Sequence, residues 1–457
     1  MDHFYLDKIS LENFRQFEHK EIIFNSQMNL AVGSNSSGKT SILEAVCIAL
    51  GAYLAAFKTY VPSRFVYNIS ESDVRMKGQT LETKDILLSP EVQQYPCKVS
   101  ADLMIDHKNY FYKRMIEKKG GRTKFDGTNP MQSMIISWEK SMAMGDGSDS
   151  ALIFPLVLYL SSARLWNENK ESDFDFSIPL RTDAYHRCLD KKRGMQMPFR
   201  YIQYLKEISI QEKNGVDFPA YTLIMDAINR CMEGELKTDQ VIEYSMRYRS
   251  LALVEADGTR IPFDGLSDGY RGVMKIVADI AVRMCILNPY LKEKTFERTP
   301  GIVVIDELDL SLHPKWQKRI IRTLTSLFPK VQFICASHSP FLIQALEEGQ
   351  LISMEGMVDE EYSGESIEDI AENIMGVENA RYSDKKQEMY HAAEEYYQAL
   401  NCAVSQEELQ RLKEKLDVLM AEYSDNPAYC AWMKQRYLVK QAEMGKRNEA
   451  GRKRGSA

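Results

Sequence analysis

The sequence lacks paired cysteines, an excess of positive charge and an apolar run that reaches the length of a membrane span. Its eight cysteines are scattered with no CxxC spacing, and several lie in apolar segments where a thiol behaves as a small hydrophobic group. The N-terminus has neither the basic start nor the apolar core of a secretory signal. These absences indicate a reducing compartment, and we expect a cytoplasmic protein that makes no contact with a membrane.

The charge balance is acidic, with 58 lysines and arginines against 65 aspartates and glutamates and a formal net charge of −7. This excludes a global attraction to nucleic acid or to an anionic membrane, so any nucleic-acid contact must come from local basic segments. Three such segments are candidates, although each is more typical of a solvated surface: Lys108–Lys124, Arg181–Arg193 and Lys446–Arg454. The length of 457 residues and the hydrophobic content of 44% are typical of a soluble globular protein with roughly two to four domains.

A glycine-rich segment between an apolar strand (Met28–Val32) and a helix matches the phosphate-binding loop GxxxxGK[S/T] at every position. Glycines let the backbone wrap an anion, backbone N–H groups face the phosphates, Lys39 adds a full charge and Thr40 ligates Mg²⁺. We therefore predict that the chain binds a nucleoside triphosphate, ATP, together with Mg²⁺. The residues predicted to bind the nucleotide are Gly33, Ser34, Asn35, Ser36, Ser37, Gly38, Lys39, Thr40 and Ser41.

Two adjacent carboxylates follow a buried strand in the second half of the chain. Asp306 and Glu307 come directly after the apolar run Ile302–Ile305, which is the Walker B arrangement. The first carboxylate can hold Mg²⁺ and the second can polarise the attacking water, so two acids are needed side by side. Downstream of a complete phosphate loop, this pair predicts ATP hydrolysis with Asp306 at the metal and Glu307 as the general base.

A serine and a glycine open the long helix that follows Gly265. The segment Leu266–Tyr270 resembles the LSGGQ signature of ABC-type ATPases, with Asp268 in place of the first glycine and tyrosine in place of glutamine. Free N–H groups and the helix dipole make such an N-terminus a second anion site, formed by Ser267, Asp268 and Gly269.

Two further motifs lie along the chain in the order that ABC-type ATPases have. Ser311–Pro314 follows the Walker B acids where a D-loop belongs, and His338 follows the apolar strand Val331–Ala336 at the position of the switch histidine. Each of these features alone is typical of ordinary structure, but together they reproduce phosphate loop, signature, Walker B, D-loop and switch histidine in order.

Strands alternate with helices after Gly265, which predicts an α/β fold with a mainly parallel sheet whose ligands collect at the carboxyl ends of the strands. Arg381 onward is helical in pattern, and the final segment is polar and reads as disordered. The predicted domains are an ATPase head at 1–52 and 260–378, a divergent β and helical insertion without a long coiled coil at 53–259, a C-terminal helical region at 379–444 and a tail at 445–457.

The chain resembles the ABC-type ATPase heads of the RecF, SMC and OLD group, directly over about residues 1–52 and 260–355. The resemblance implies a mixed sheet around the phosphate loop with an antiparallel N-terminal part. It also implies a head-to-head dimer in which each ATP lies between the phosphate loop of one subunit and Ser267, Asp268 and Gly269 of the other. Within that site His338 would sense the γ-phosphate. The Q-loop glutamine cannot be placed, and Gln93 and Gln94 are only candidates.

Within this group, the interval from Thr40 to Leu266 shows no sustained heptads, which excludes a long coiled-coil arm. No Toprim pattern follows Met354, and only His391 remains after His338, so we expect no nuclease site in this chain. The motifs around Ser162–Trp166, Ala184–Asp190, Asp309–Gln317 and Asn426–Tyr429 resemble the stand-alone ATPases of Septu anti-phage systems, the PtuA-like family, whose relatives also accompany retrons.

That resemblance implies a sensor or regulatory ATPase that controls a separate HNH nuclease subunit. It also implies head dimers that can group into larger rings, with nucleic acid contacted through the complex. Two alternatives stay open: a RecF-like repair ATPase that clamps DNA with Lys108–Lys124, and a PARIS-like ATPase that holds a Toprim effector. Arg164 is an ambiguous candidate for a nucleotide contact.

Overall fold

The structure is a computed structural model that describes residues 1–78, 91–144, 152–163, 180–191, 196–212, 217–354, 362, 364–377, 380, 382–401 and 406–423. The chain divides into two compact units, 1–370 and 371–457. Arg164, the Asn426–Tyr429 motif, the basic segment Lys446–Arg454 and the predicted tail lie outside the described residues.

The strands of the described residues are, in chain order, β1 Phe4–Phe14, β2 Phe17–Ile23, β3 Met28–Val32, β4 Met76–Gly78, β5 Glu91–Gln93, β6 Cys97–Ile105, β7 Lys108–Ile116, β8 Lys124–Asp126, β9 Leu156–Leu160, β10 Val241–Ser245, β11 Ser250–Val254, β12 Arg260–Pro262, β13 Gly301–Ile305, β14 Val331–Ala336 and β15 Leu351–Ser353.

The helices are α1 Lys39–Ala56, α2 Asn129–Met144, α3 Gln196–Glu212, α4 Pro219–Met232, α5 Asp268–Leu287, α6 Thr295–Arg298, α7 Pro314–Leu327, α8 Pro340–Ile343, α9 Ile367–Asp369, α10 Asp384–Asn401 and α11 Gln406–Tyr423. Short 3₁₀ turns lie at Ser63–Phe65, Glu71–Asp73, Arg181–Tyr185, Phe263–Gly265 and Pro289–Lys294, and a π turn lies at Ile370–Ile374.

The first sheet is antiparallel and has the strand order β2-β1-β6-β7-β8 within the described residues. Alternate residues of β6 are buried, as expected for a sheet with one face on the core and one face in water. The outer face carries neighbouring opposite charges, with Glu12 opposite Lys98 in register and an ion pair between Lys8 and Glu21. This sheet is the predicted antiparallel N-terminal part of the head.

The second sheet is parallel and has the order β15-β3-β14-β13-β9. Every residue of β3, β9, β13 and β14 is buried, which explains why these strands read as continuous apolar runs rather than as alternating patterns. The predicted α/β fold is therefore confirmed. The helices predicted from the sequence at 267–287 and 314–327 are present as α5 and α7.

Helix α1 connects the two sheets because it packs against β6 and β7 of the first and against β13 and β14 of the second. All but two of its 18 residues are buried. By length and composition the helix also meets the criteria for a membrane span, which the sequence prediction missed; its burial inside the protein accounts for its apolar composition.

The segment 53–259 does not follow the predicted division into head and insertion. Strands β6 and β7 complete the antiparallel sheet, and β9 pairs in parallel with β13 through Val303 and Leu158. Later in the segment, β10 and β11 form a small sheet with β12, and α3 and α4 lie beside it; both of these helices contact α5. A short apolar strand such as β9 carries no sequence signal that tells which sheet it joins.

The second unit contains the hairpin of α10 and α11. Both helices contribute to one apolar cluster, formed by Met389, Ala392, Ala393, Tyr396, Ala399, Leu400, Leu409, Leu416 and Met420. These include most of the apolar positions from which the sequence predicts helices after Arg381, so the 3.6-residue periodicity identified the buried faces.

A substitution at Gly51 tests the packing of α1 directly. A Cβ at this position would lie 2.5 Å from both Arg114 Nη1 and the Tyr67 carbonyl oxygen, whereas a Cβ at Gly272 of α5 would meet open space. Arg114 is fully buried and donates to the carbonyl of Ile48 at 2.5 Å, so it cannot move away.

We predict that Gly51→Ala lowers the free energy of unfolding by about 1–3 kcal/mol through overpacking. The matched change Gly272→Ala should raise it by up to about 1 kcal/mol through helix propensity. Denaturant midpoints measure both effects. Stabilisation by both substitutions would show that α1 is not packed as described.

Candidate nucleotide site

The phosphate loop joins the carboxyl end of β3 to the start of α1. Gly38 has φ 103°, in the left-handed region, and a Cβ there would lie 1.7 Å from Gln16 Nε2. A side chain at this position is therefore excluded both by backbone conformation and by space. Ser36 also has a positive φ of 72°, which completes the turn of the loop toward the helix.

The polar groups of the loop fit a bound phosphate. Lys39 is buried, and its Nζ donates to the carbonyl oxygens of Gly33 at 2.8 Å and Ser34 at 2.9 Å, so a full positive charge lies under the loop. Ser37 Oγ is buried and has no hydrogen-bond partner among the described residues. A buried donor without a partner is costly, and a phosphate oxygen would satisfy it.

Thr40 and Asp306 come together across the sheet edge. The Thr40 hydroxyl lies 3.3 and 3.5 Å from the two carboxylate oxygens of Asp306. Burial, together with the neighbouring charge of Glu307, raises the pKa of Asp306 to about 6. Hydroxyl and carboxylate oxygens are the ligands that Mg²⁺ prefers, and a cation here would offset the cost of the buried carboxylate.

Glu307 leaves the strand in an unusual backbone conformation. Its φ is 55°, which costs a non-glycine residue roughly 1–2 kcal/mol, and its side chain is exposed. The turn is fixed because Leu308 N–H donates to the Ala336 carbonyl at 3.1 Å and Leu310 N–H to the Glu307 carbonyl at 3.0 Å. This conformation separates the two adjacent acids, with Asp306 buried and Glu307 open to the site.

His338 reaches the same site from the neighbouring strand. It follows the buried residue Ser337, whose N–H donates to the Ala31 carbonyl at 3.2 Å, and its own N–H lies 3.4 Å from Asp309 Oδ1. The loop, the acids and the histidine line one open pocket of about 410 Å³. Its lining residues are Gln16, Asn35, Ser36, Gly38, Lys39, Thr40, Ser41, Asp306, Glu307, Ala336, Ser337 and His338.

The signature residues lie elsewhere on the head. Ser267 is the N-cap of α5, its Oγ accepts from Tyr270 N at 3.5 Å, and both Ser267 and Asp268 are exposed. Neither they nor Gly269 are among the described residues that line the pocket. A Cβ at Gly269 would lie 2.9 Å from the Ser311 carbonyl oxygen, so the glycine is required by close packing on the D-loop.

Tyr270 occupies the place of the signature glutamine and faces inward. Its ring packs edge-on against Trp316 of α7 with centroids 6.3 Å apart, and its hydroxyl lies 3.5 Å from the Glu235 carbonyl. The tyrosine therefore contacts the protein's own α7 and the turn after α4, which accounts for the departure from the glutamine.

Sequence reasoning missed Gln16. This residue lies in the tight turn between β1 and β2, and its Oε1 accepts from Ser41 Oγ at 3.2 Å at the pocket wall. The adjacent Arg15 holds the turn in place through ion pairs with Glu44 at 2.5 Å and Asp73 at 2.7 Å. A polar pair in a hairpin turn is ordinary, so no local signal identified it.

The proposed Q-loop candidates do not reach the pocket. Gln93 and Gln94 instead donate to the carbonyl oxygens of Glu71 at 3.3 Å and Val92 at 3.0 Å.

The basic segments present fewer cations to solvent than the sequence suggests. In Lys108–Lys124, Arg114 is buried and Lys124 forms an ion pair with Glu117.

In Arg181–Arg193, the guanidinium of Arg181 is likewise buried and donates to the carbonyls of Leu152 and Leu287 at 2.6 Å. Its charge is used inside the protein and is not presented to a ligand.

We predict that Asp306→Asn stabilises the nucleotide-free protein. An acid whose pKa is raised from 3.8 to about 6 is costly in the fold when ionised, so the gain should reach about 3 kcal/mol at pH 8. Because the wild-type carboxyl becomes protonated in the fold below its raised pKa, the gain should shrink as pH falls from about 6 to about 4.

Denaturant unfolding at several pH values, without nucleotide or metal, measures this effect. Asp264→Asn, on an exposed turn, is the matched control and should change little at any pH. An equal gain at pH 4 and pH 8 would contradict the assignment of a raised pKa to Asp306.

Comparison with known proteins agrees with this geometry. Residues 8–240, half of the chain, match the family described as "AAA domain", and residues 228–344 match the family described as "AAA domain, putative AbiEii toxin, Type IV TA system". The "Retron Vc95 probable ATPase" of Vibrio cholerae serotype O1 biovar El Tor is 24% identical over 403 residues, which cover 75% of this chain and 73% of that protein.

The "Septu protein PtuA" of Bacillus mycoides (strain KBAB4) is 23% identical over 76% of this chain and 40% of its own length. Among solved structures, the SMC head domain from Thermotoga maritima is 14% identical with a TM-score of 0.39, and the match covers 76% of this chain and 94% of that domain. The match over half of the chain shows that the chain belongs to this AAA-domain family, and its relatives include proteins named as a retron ATPase and as Septu PtuA, in agreement with the resemblance predicted from the motifs.

Proposed function

We propose that this chain is the ATP-hydrolysing sensor subunit of an anti-phage defence complex and that it controls a separate HNH nuclease subunit. It acts in the cytoplasm as a head-to-head dimer, which can group into larger rings, and meets nucleic acid through the complex. The relatives that carry the names of a retron ATPase and of Septu PtuA support the defence assignment.

One observation carries the catalytic part of the proposal. The pocket contains the phosphate loop, both Walker B acids and His338, but the exposed signature Ser267 lies outside it. A site that holds the triphosphate and lacks the second anion-binding helix is half of a composite site. The second half is supplied by Ser267 and Gly269 of the other subunit, with the N-terminus of α5 directed at the phosphates.

The proposed chemistry follows from the geometry. Mg²⁺, when bound, neutralises charge on the β- and γ-phosphates, and Thr40 and Asp306 hold it. Glu307, which is exposed to the pocket, takes a proton from the attacking water. His338, which lines the same pocket, senses the γ-phosphate. Lys39 stabilises the charge that develops on the transferred group.

The sequence's alternative of a RecF-like DNA clamp gains no support from the basic segment Lys108–Lys124. Within this segment Arg114 is buried, Lys124 is paired to Glu117, and Asp126 lies opposite Lys113 in register. A clamp needs several unpaired cations aligned along the phosphate backbone.

We predict that Glu307→Gln lowers kcat for ATP hydrolysis by about 10²-fold or more, because a positioned general base is removed while the shape is kept. Nucleotide binding should be unchanged. Steady-state phosphate release and equilibrium binding of a fluorescent ATP analogue measure the two effects. Glu348→Gln, at an exposed position away from the pocket, is the matched control.

If Glu307→Gln hydrolysed ATP at the wild-type rate, Glu307 could not be the general base. The regulatory part is tested by the same variant in the complex with its nuclease subunit, where DNA cleavage should respond differently to ATP than in the wild type. Identical nuclease output from the two complexes would show that ATP turnover does not control the nuclease.

A further inference from the structure

The side chain of Gln317 connects the two loops that carry the catalytic groups, in addition to the bonds of Leu308 N–H to the Ala336 carbonyl and of His338 N–H to Asp309 Oδ1. Gln317, in the first turn of α7, donates from Nε2 to the Leu312 carbonyl at 2.8 Å and lies 3.4 Å from the Asp309 carbonyl. Its Oε1 accepts from Ser339 Oγ at 2.6 Å. The side-chain amide of Gln317 thus donates to the D-loop segment after β13 and accepts from the loop after β14.

The loop after β14 is held rigidly where Gln317 contacts it. Ser339 is buried, its N–H donates to Ser337 Oγ at 2.9 Å, and its Oγ caps α8 by accepting from Phe341 N at 3.2 Å. His338 lies between these two anchored serines. Movement of the histidine toward or away from a γ-phosphate therefore moves the hydroxyl that Gln317 holds.

The D-loop is in turn packed against the signature of the same head. Ser311 has φ 60°, and its carbonyl oxygen approaches Gly269 so closely that a Cβ there would lie 2.9 Å away. A shift of the D-loop by a few tenths of an ångström is thus transmitted to the N-terminus of α5, where Ser267 is the N-cap.

We propose that Gln317 is a positioning residue that couples the His338 loop to the D-loop and, through it, to the signature of its own head. Because that signature serves the ATP bound by the other subunit, the amide links the state of one site to the geometry of the second. This inference rests on the proposed function as a composite-site ATPase. Gln317 itself does not line the nucleotide pocket.

The experiment uses the full chain and compares Gln317→Leu, Gln317→Glu and Ser339→Ala with Arg322→Ala, an exposed position on the same helix. Leucine at Gln317 removes both bonds, and glutamate keeps only the acceptor. Alanine at Ser339 removes the bond to Gln317 together with the N-cap bond from Phe341 N, whereas Ser339→Thr keeps a hydroxyl for both. We expect Gln317→Leu to lower kcat about tenfold, while affinity for a fluorescent ATP analogue changes less than about twofold.

The double variant Gln317→Leu with Ser339→Ala should be less impaired than the two single effects combined, since both remove the Gln317–Ser339 bond, and Ser339→Thr should retain activity. In the Glu307→Gln background, amide hydrogen exchange of 266–271 should lose its protection by ATP when Gln317→Leu is added. Arg322→Ala should match the wild type in every measurement.

Wild-type kcat in Gln317→Leu, additive effects of the two substitutions or unchanged ATP protection of 266–271 would each overturn the coupling. A loss of ATP affinity and unfolding midpoint in parallel with kcat would assign Gln317 a merely structural role. If Gln317→Leu does not fold, Ser339→Ala against Ser339→Thr decides the question. Failure of the proposed function shows separately, as absent hydrolysis by the wild type or as full hydrolysis by Glu307→Gln.

Discussion

The burial of helix α1 between the two sheets is the constraint on which the site depends. Its apolar faces contact β6 and β7 on one side and β13 and β14 on the other, so the helix cannot rotate or shift without opening both cores. Because α1 begins at Lys39, this packing fixes the phosphate loop beside the carboxyl ends of β13 and β14. The acids and the histidine emerge at those ends, and the catalytic groups meet there.

The charged and polar groups at this edge of the sheet favour binding of a triphosphate with its cation. Lys39 is held on backbone carbonyls, Asp306 is a buried carboxylate with a raised pKa, and Ser37 has a buried hydroxyl without a partner among the described residues. The Ser37 hydroxyl and the Asp306 carboxylate are costly in the protein alone, and a triphosphate with its cation would offset that cost.

The sequence predicted the groups whose spacing is local. The phosphate loop, the Asp306–Glu307 pair and His338 each follow an apolar strand, and parallel strands end at a common edge, so their convergence could be predicted before the structure. Residues that act across the fold could not be predicted in this way. Gln16 lies in an ordinary hairpin turn, and Gln317 is one of several polar residues on an amphipathic helix. Their hydrogen bonds to Ser41 and Ser339 form only because the fold brings the turn after β1 to α1, and α7 to the start of α8.

The division of the chain shows the same limit. The sequence predicts an insertion over 53–259, yet β9 of that segment lies next to β13 in the parallel sheet. The sequence also predicts no apolar run of membrane-span length, yet α1 reaches that length and composition, with its single Glu44 buried against Arg15, Tyr67 and Lys191. The sheet position of β9 and the burial of α1 both depend on contacts with residues that are distant in sequence.

The central claim is that each ATP lies between the phosphate loop of one head and Ser267 of another. It is tested most directly by mixing Lys39→Ala with Ser267→Arg, each of which should be inactive alone. A mixed dimer then contains one site with an intact Lys39 from one subunit and an intact Ser267 from its partner, and ATP hydrolysis should return in part. No recovery in dimers confirmed to be mixed would contradict the composite site.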